Sequence, residues 1–329
     1  MQKPMVLIKI LLGSLVAAVS HAGVAQTTAY PSSPITVVVP FAPGGSVDVA
    51  ARIVMPRLAE RLKQPIVVEN VVGASGTIAT QRVIRAKPDG YTLLFAVASP
   101  VTVAPLVSPN TFKYDGLKEL LPIAPVASSA FVLIARPTLA VDSADALVKL
   151  ARSQPGKLNY GTDGVGTSLH ITAEMIKQMA AIDIMHVPYK SGPQVLTELA
   201  GGQIDLAVLP VGLAQNFIRD NKVKALGVTS QARWEGLPNV PSLSETAEFK
   251  SMNVDSWQGL MAPAHTDAAI VDRIARELAA VHADPELKRK LADAGFAPMD
   301  MAPAAFASYL AREKQILSTV INTAGIRMD

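Results

Sequence analysis

Three glycine-rich stretches hold the residues best suited to chemistry: Phe41-Ala42-Pro43-Gly44-Gly45-Ser46, Gly73-Ala74-Ser75-Gly76-Thr77 and Gly161-Thr162-Asp163-Gly164-Val165-Gly166-Thr167-Ser168. Each follows a short apolar run and precedes a helical pattern. A helix amino terminus exposes N–H groups with no intrahelical partner and carries about half a positive charge, and glycine lets backbone come close to a bound group. Such a loop makes a site for carboxylate or phosphate without an arginine. Any one of the three can equally serve a tight turn; three in equivalent positions favour an anion-binding cleft.

Other chemistries fit the residues less well. Gly161 to Thr167 has the glycine spacing of a phosphate-binding P-loop, but Thr167 stands where the lysine belongs. Gly161, Gly164 and Gly166 run in the wrong order for a dinucleotide fingerprint. No Gly-x-Ser-x-Gly nucleophile elbow occurs, and Ser75 and Ser168 have no base identifiable from spacing. His170, His186, His265 and His282 show no metal-ligand spacing. His170 can touch a ligand from the first turn of its helix or be purely structural. Asp48, in the first turn of the first helix, can steady the helix dipole or accept a hydrogen bond from a ligand.

The loops need a scaffold, and the chain alternates strand and helix patterns. Ile35 to Val39 is a β-branched run, as in a strand covered on both faces. Val47, Ala50, Ala51, Val54, Leu58 and Leu62 share one helix face, and Ser46 can cap that helix. Strands at 66–68 and 92–96 and a helix at 77–86 complete a βαβαβ unit. A second cycle begins with the strand Phe131 to Ala135 and a helix at 144–152. Further strands are expected at 158–160, 184–187, 205–209 and 225–228, with helices at 169–179, 194–199 and 214–219. The tail from Asp267 reads as largely helical. Ligands of open parallel sheets bind beyond the carboxyl ends of strands, where all three loops fall.

Composition narrows the classes. A chain of 329 residues suggests two domains, and with 50% hydrophobic and 17% charged residues it can build large cores. Thirty Lys and Arg against 27 Asp and Glu, with no basic block among aromatics, argue against nucleic acid. The absence of cysteine removes disulfides, thiolate metal sites and cysteine nucleophiles. Lys3 and Lys9 accompany an apolar run from Met5 to Val19, followed by small residues through Ala25. That is the layout of a secretory signal, too short to span a membrane, and places a soluble protein outside the cytoplasm.

Longer blocks resemble the Bug family of periplasmic solute receptors, which serve tripartite tricarboxylate transporters. The blocks are YPSSPITVVVPFAPGGSVDVAARI, QPIVVEN, KPDGYTLLF, KLNYGTDGVGTSLH and, most specific, HVPYKSGPQVLTELAGGQID from His186 to Asp205. The resemblance implies an α/β, two-lobed type II periplasmic-binding-protein fold, each lobe a mostly parallel sheet flanked by helices. Cleavage of the signal peptide after Ala22 or Ala25, the latter giving a segment of 1–25, precedes the lobes, which the resemblance implies to be 30–125 with 254–329 and 126–253. The chain is expected to cross near Pro122 to Pro125 and to return near Asn253 to Ser256. It also implies a small organic carboxylate between the lobes, contacted by Phe41, Ala42, Gly44, Gly45, Asp48, Ala74 and Ser75 from one side. Thr162, Gly164, Thr167, Ser168 and Asp205 face them. Membrane permease subunits are the implied partner, with no cofactor, no metal, no catalysis and a monomeric receptor in the periplasm.

This chain departs from the family pattern where Val71 and Val72 replace an Arg-Pro pair, where Ser75 replaces a glycine, and around Leu209 to Gly212, which lacks an Asp-Asn signature. These changes point to a mono- or dicarboxylate with an apolar or aromatic body rather than citrate. Two other readings compete: a sensory adaptor for a membrane receptor, and a periplasmic serine hydrolase using Ser75 or Ser168. If the first loop meets the ligand, Gly44→Val weakens carboxylate binding; calorimetry on a folded variant checks this, and unchanged affinity refutes the placement.

Overall fold

The computed structural model describes residues 30–323 and 325–327. The expected signal segment lies outside them. Among the described residues no helix is long and apolar enough to cross a membrane. The first unit runs β1 (Ile35–Val39), α1 (Ser46–Leu62), β2 (Ile66–Asn70), α2 (Thr77–Ile84) and β3 (Thr92–Ala96). A π-helical turn at Ser99–Val103 leads through the short α3 (Ala104–Val107) and α4 (Gly116–Glu119) into β4 (Leu120–Ala135). The second unit follows with α5 (Ala144–Ser153), β5 (Asn159–Thr162), α6 (Ser168–Ala180), β6 (Met185–Pro188), α7 (Gly192–Ala200), β7 (Leu206–Pro210), α8 (Val211–Arg219) and β8 (Lys224–Val228). The chain then returns through β9 (Asp255–Pro263), α9 (Ala268–His282), α10 (Pro285–Asp293), β10 (Ala297–Pro298) and α11 (Pro303–Thr323).

The β-branched run of β1 is buried on both faces and pairs in parallel with β2 and β3, as its continuous apolar character requires. The apolar stripe of α1 buries Ala50, Ala51, Val54, Leu58 and Leu62. One sequence expectation fails here: Gly45, not Ser46, occupies the N-cap position of α1, with no side-chain cap. Ser46 is the first helical residue, and its hydroxyl oxygen is buried without a hydrogen-bond partner.

Strand β4 joins two lobes. From Leu120 to Ala130 it pairs antiparallel with β9, extending the order β2-β1-β3-β9-β4. From Phe131 to Ala135 it pairs with β7 and β8, giving a second sheet in which β5 lies parallel to β6 and β7. The chain therefore changes sheets inside a continuous strand, between Ala130 and Phe131, a little beyond the expected Pro122 to Pro125. Those prolines mark bends instead. Proline cannot donate to a ladder, and register shifts fall between Pro122 and Ala124 and between Pro125 and Ala127. The chain returns through Val254, the residue before β9. There the Thr229 hydroxyl donates to Val254 O at 2.6 Å and accepts from Phe131 N at 3.0 Å.

The cores divide in the same way. One cluster draws only on residues between Ala130 and Val254. Another draws on residues from Tyr30 to Ala127 and from Leu260 to Phe296. A third, around Trp257, Phe306 and Leu310, belongs to the first lobe but takes in Ile171 from α6, so the lobes touch through packing.

Trp257, a fully buried core residue, donates its indole N–H to Glu313 Oε2 at 2.6 Å. Burial pushes the Glu313 carboxyl up to about 7, with the indole bond pulling the other way. The folded state then holds this proton more tightly than the unfolded chain. The stabilisation is full below about pH 4.5 and fades as pH rises to about 7. Glu313→Gln keeps an acceptor for the indole and removes the charge. The variant should match the natural protein at pH 4.5 and exceed its stability by about 1–3 kcal/mol at pH 8. Urea unfolding at both pH values checks this, and a variant no more stable at pH 8 contradicts it.

Candidate functional site: a cleft of helix amino termini

A cavity of about 640 Å³ lies between the lobes. Five helix amino termini face it: α1 through Phe41 to Pro43 and Gly45 to Val47, α2 through Gly73 to Gly76, α6 through Ser168 and Leu169, α7 through Ser191 to Pro193, and α8 through Pro210 and Leu213. The parallel strands force this convergence. Each ends beside the cleft, and each short connection then starts a helix there.

The second loop carries the most backbone strain. Gly73, Ala74, Ser75 and Gly76 all have positive φ, at 130°, 46°, 54° and 88°. Two of these residues are not glycines, and such outliers persist only where surrounding structure enforces them. A Cβ on Gly76 would stand 2.9 Å from Pro40 Cβ, so the first two loops are packed against each other. Ser75 Oγ donates across the cleft to Val165 O at 3.4 Å. Ser99, in the π-helical turn, also crosses: its Oγ accepts from Ser168 N at 2.9 Å and lies 3.0 Å from Ser168 Oγ.

The residues expected at the site fall into three groups. Phe41, Ala42, Gly45, Ala74, Ser75 and Ser168 line the cavity. Gly44, Asp48, Thr162, Gly164 and Thr167 stand behind it and shape the loops. Asp48 Oδ2 accepts from Gly44 N at 2.9 Å, while Oδ1 accepts from Asn70 Nδ2 at 2.9 Å and from Arg52 Nε at 3.0 Å. Burial works against this charge, but the Arg52, Gly44 and Asn70 hydrogen bonds hold the carboxyl below its usual range. Asp48 thus braces the first loop, and its acceptors are already engaged. Gly44 sits at φ 78° with no atom within 4 Å of an added Cβ, so a side chain there acts through backbone strain and the cleft space, not through a clash with protein.

In the third loop the Thr162 hydroxyl donates to Gly164 O at 3.0 Å and lies 2.6 Å from His186 Nε2. Thr167 caps α6, accepting from His170 N at 3.3 Å. His170 does not reach the cavity: its Nδ1 accepts from Gly166 N at 3.1 Å, and its ring stacks on His186 with centroids 4.1 Å apart. Burial lowers both imidazoles, His186 to about 4, which keeps them neutral and keeps Nδ1 an acceptor. Asp205 forms the third group, and its placement is corrected. It precedes β7 at the amino end, away from the cleft, where its carboxylate accepts from Arg136 Nε at 2.8 Å and Asn159 N at 3.0 Å.

Sequence reasoning missed the loop Lys190-Ser191-Gly192-Pro193, which follows β6 and lines the cavity. It holds too little glycine to stand out, although it sits inside the most specific block. Lys190 is the single lysine or arginine among the lining residues. Neither candidate nucleophile is hydrogen-bonded to an imidazole, because Ser75 is bonded to Val165 and Ser168 to Ser99. Among the described residues no group of three or more His, Cys, Asp or Glu could hold a metal ion.

Asp48→Ala leaves Gly44 N, Asn70 and Arg52 without their common acceptor. It should lower stability by about 2–4 kcal/mol and release the first loop, weakening carboxylate binding in the surviving folded protein. Chemical unfolding and calorimetry check the two effects, and a variant unchanged in both overturns the bracing role.

The profile described as "Tripartite tricarboxylate transporter family receptor" (TctC) matches residues 50–326. BugT of Bordetella pertussis is 29% identical over 318 residues, 96% of this chain and 97% of its own. The solved structure "R. palustris Rpa4515 with adipate" is 30% identical with a TM-score of 0.85, covering 91% of this chain and 99% of the other. MatC from Rhodopseudomonas palustris with bound malate is 28% identical with a TM-score of 0.82, covering 89% and 100%. The two-lobed fold, the ordered loops and a match over most of the chain agree: the chain belongs to the TctC family of tripartite tricarboxylate transporter receptors.

Proposed function

We propose that this protein captures a small organic carboxylate between its lobes and delivers it to the membrane permease of a tripartite tricarboxylate-type transporter. The observation that carries the reading is the convergence of five helix amino termini and Lys190 on one cavity. Partly unpaired N–H groups and the lysine supply positive potential, and the Ser46 hydroxyl, buried without a partner, supplies a further donor. Two relatives were solved with adipate and with malate, which supports a carboxylate.

The walls refine the class. Phe41, Val47, Val72, Val97, Phe131 and Leu213 give the cleft an apolar body. A mono- or dicarboxylate with an apolar or aromatic portion suits it better than citrate, whose three charges would face a single cation. Phe41, Ala42, Gly45, Ala74, Ser75 and Ser168 make the contacts, with Gly44, Asp48, Thr162, Gly164 and Thr167 holding the loops in place. No covalent step is required. The lobes, joined within β4 between Ala130 and Phe131 and again at Val254, close on the ligand because it contacts both only when they are together. Removal of residues 1–25 on export leaves a monomeric receptor in the periplasm.

The mature chain should release a carboxylate on denaturation, identified by mass spectrometry. Adipate, malate or 3-phenylpropanoate should raise its melting temperature, since a ligand at 100 times its Kd adds about 2.7 kcal/mol. Lys190→Ala should weaken that binding about tenfold. A chain that releases nothing and is stabilised by none of the three does not have this function.

A further inference from the structure

We propose that Asp163 selects, within this carboxylate class, compounds that also carry an N–H or O–H donor, with ammonium-bearing carboxylates held most tightly. The inference rests on the receptor reading above. Asp163 follows β5 directly and is the single acidic residue lining the cavity, opposite in sign to the single cation, Lys190. Its Oδ1 is shut off from solvent and has no hydrogen-bond partner. Ser46 is the other lining residue with an atom in that condition, its Oγ, and it belongs to the opposite lobe.

The two unpaired atoms have opposite needs. A hydroxyl at the start of α1 can donate to a ligand carboxylate, whereas a carboxylate oxygen can only accept. Burial pushes the Asp163 carboxyl up to about 6, against the pull of the Thr167 hydroxyl and the residue's own N–H. At pH 8 it is therefore charged, with Oδ1 unpaired. A plain carboxylate ligand leaves Oδ1 unpaired and adds a like charge to the cleft. A ligand bearing an ammonium or hydroxyl gives Oδ1 its missing donor, and an ammonium also offsets the repulsion. Sites with a buried polar group reject ligands that leave it unpaired more strongly than they reject a change in apolar size.

Calorimetry on the mature chain at pH 8 tests this with matched pairs: adipate against 2-aminoadipate, and 3-phenylpropanoate against phenylalanine and phenyllactate. The donor-bearing member of a pair should bind at least about tenfold more tightly. Asp163→Asn and Asp163→Ala should erase most of that preference and tighten binding of the plain member, because the like charge is gone. Equal affinity within both pairs in the natural protein, or a preference that survives both variants, overturns the role of Asp163 and leaves the carboxylate receptor standing. If no member of either pair binds, this inference fails, and the receptor reading fails with it only if malate and release on denaturation are negative too. Should a variant not fold, the comparison within pairs on the natural protein still decides.

Discussion

One strand holds two sheets together, and the cleft depends on it. The amino-terminal part of β4 is hydrogen-bonded into the first sheet through β9, and its last residues are bonded into the second through β7 and β8. The lobes are thereby fixed by backbone, while the space between them stays free of covalent structure. Thr229 ties this junction to the returning segment through its buried hydroxyl, so both crossings meet at one point. Bends at Pro122 and Pro125 curl the strand without ending it, because the ladder resumes after each lost N–H.

That junction also determines where charge can be bound. With both sheets mostly parallel near the cleft, their carboxyl ends and the following helix starts face one space. Backbone N–H groups then do what arginines do elsewhere, at lower desolvation cost, because a peptide dipole needs no counterion to be buried. The left-handed Ala74 and Ser75 fit this picture. Strain in the second loop is held by Gly76 against Pro40 and by the Ser75 bond to Val165, so the loop is set before a ligand arrives.

Behind the cavity wall lies a second layer of polar groups. Asp48 collects three donors and fixes the first loop; the stacked His170 and His186, with Thr162 and Gly166, fix the third. Each is hydrogen-bonded within the protein. Family likeness and proximity in sequence put Asp48, Thr162 and Thr167 at the site, and the geometry assigns them to support. Ser46 and Asp163 are the reverse case. Sequence made Ser46 a cap and left Asp163 as a loop residue, yet each presents an unpaired atom among the lining residues.

The sequence by itself was enough for the class and for the alternating strands and helices that carry the loops, but not for β9 or the amino-terminal part of β4. Hydrophobic periodicity reports which face of a segment is buried, so β1, β3 and α1 are legible residue by residue, and glycines before helix starts mark where backbone must approach an anion. The ordered blocks added the two-lobed fold. Contacts that join distant segments left no local trace. The continuity of β4 through two prolines, the Asp205 pairing with Arg136 at the far end of its strand, and Lys190 at the cleft all depend on how strands are ordered in space. Which polar atoms are satisfied depends on partners as far as 229 residues apart, as for Arg57 and Glu286, and only the tertiary structure decides those pairings.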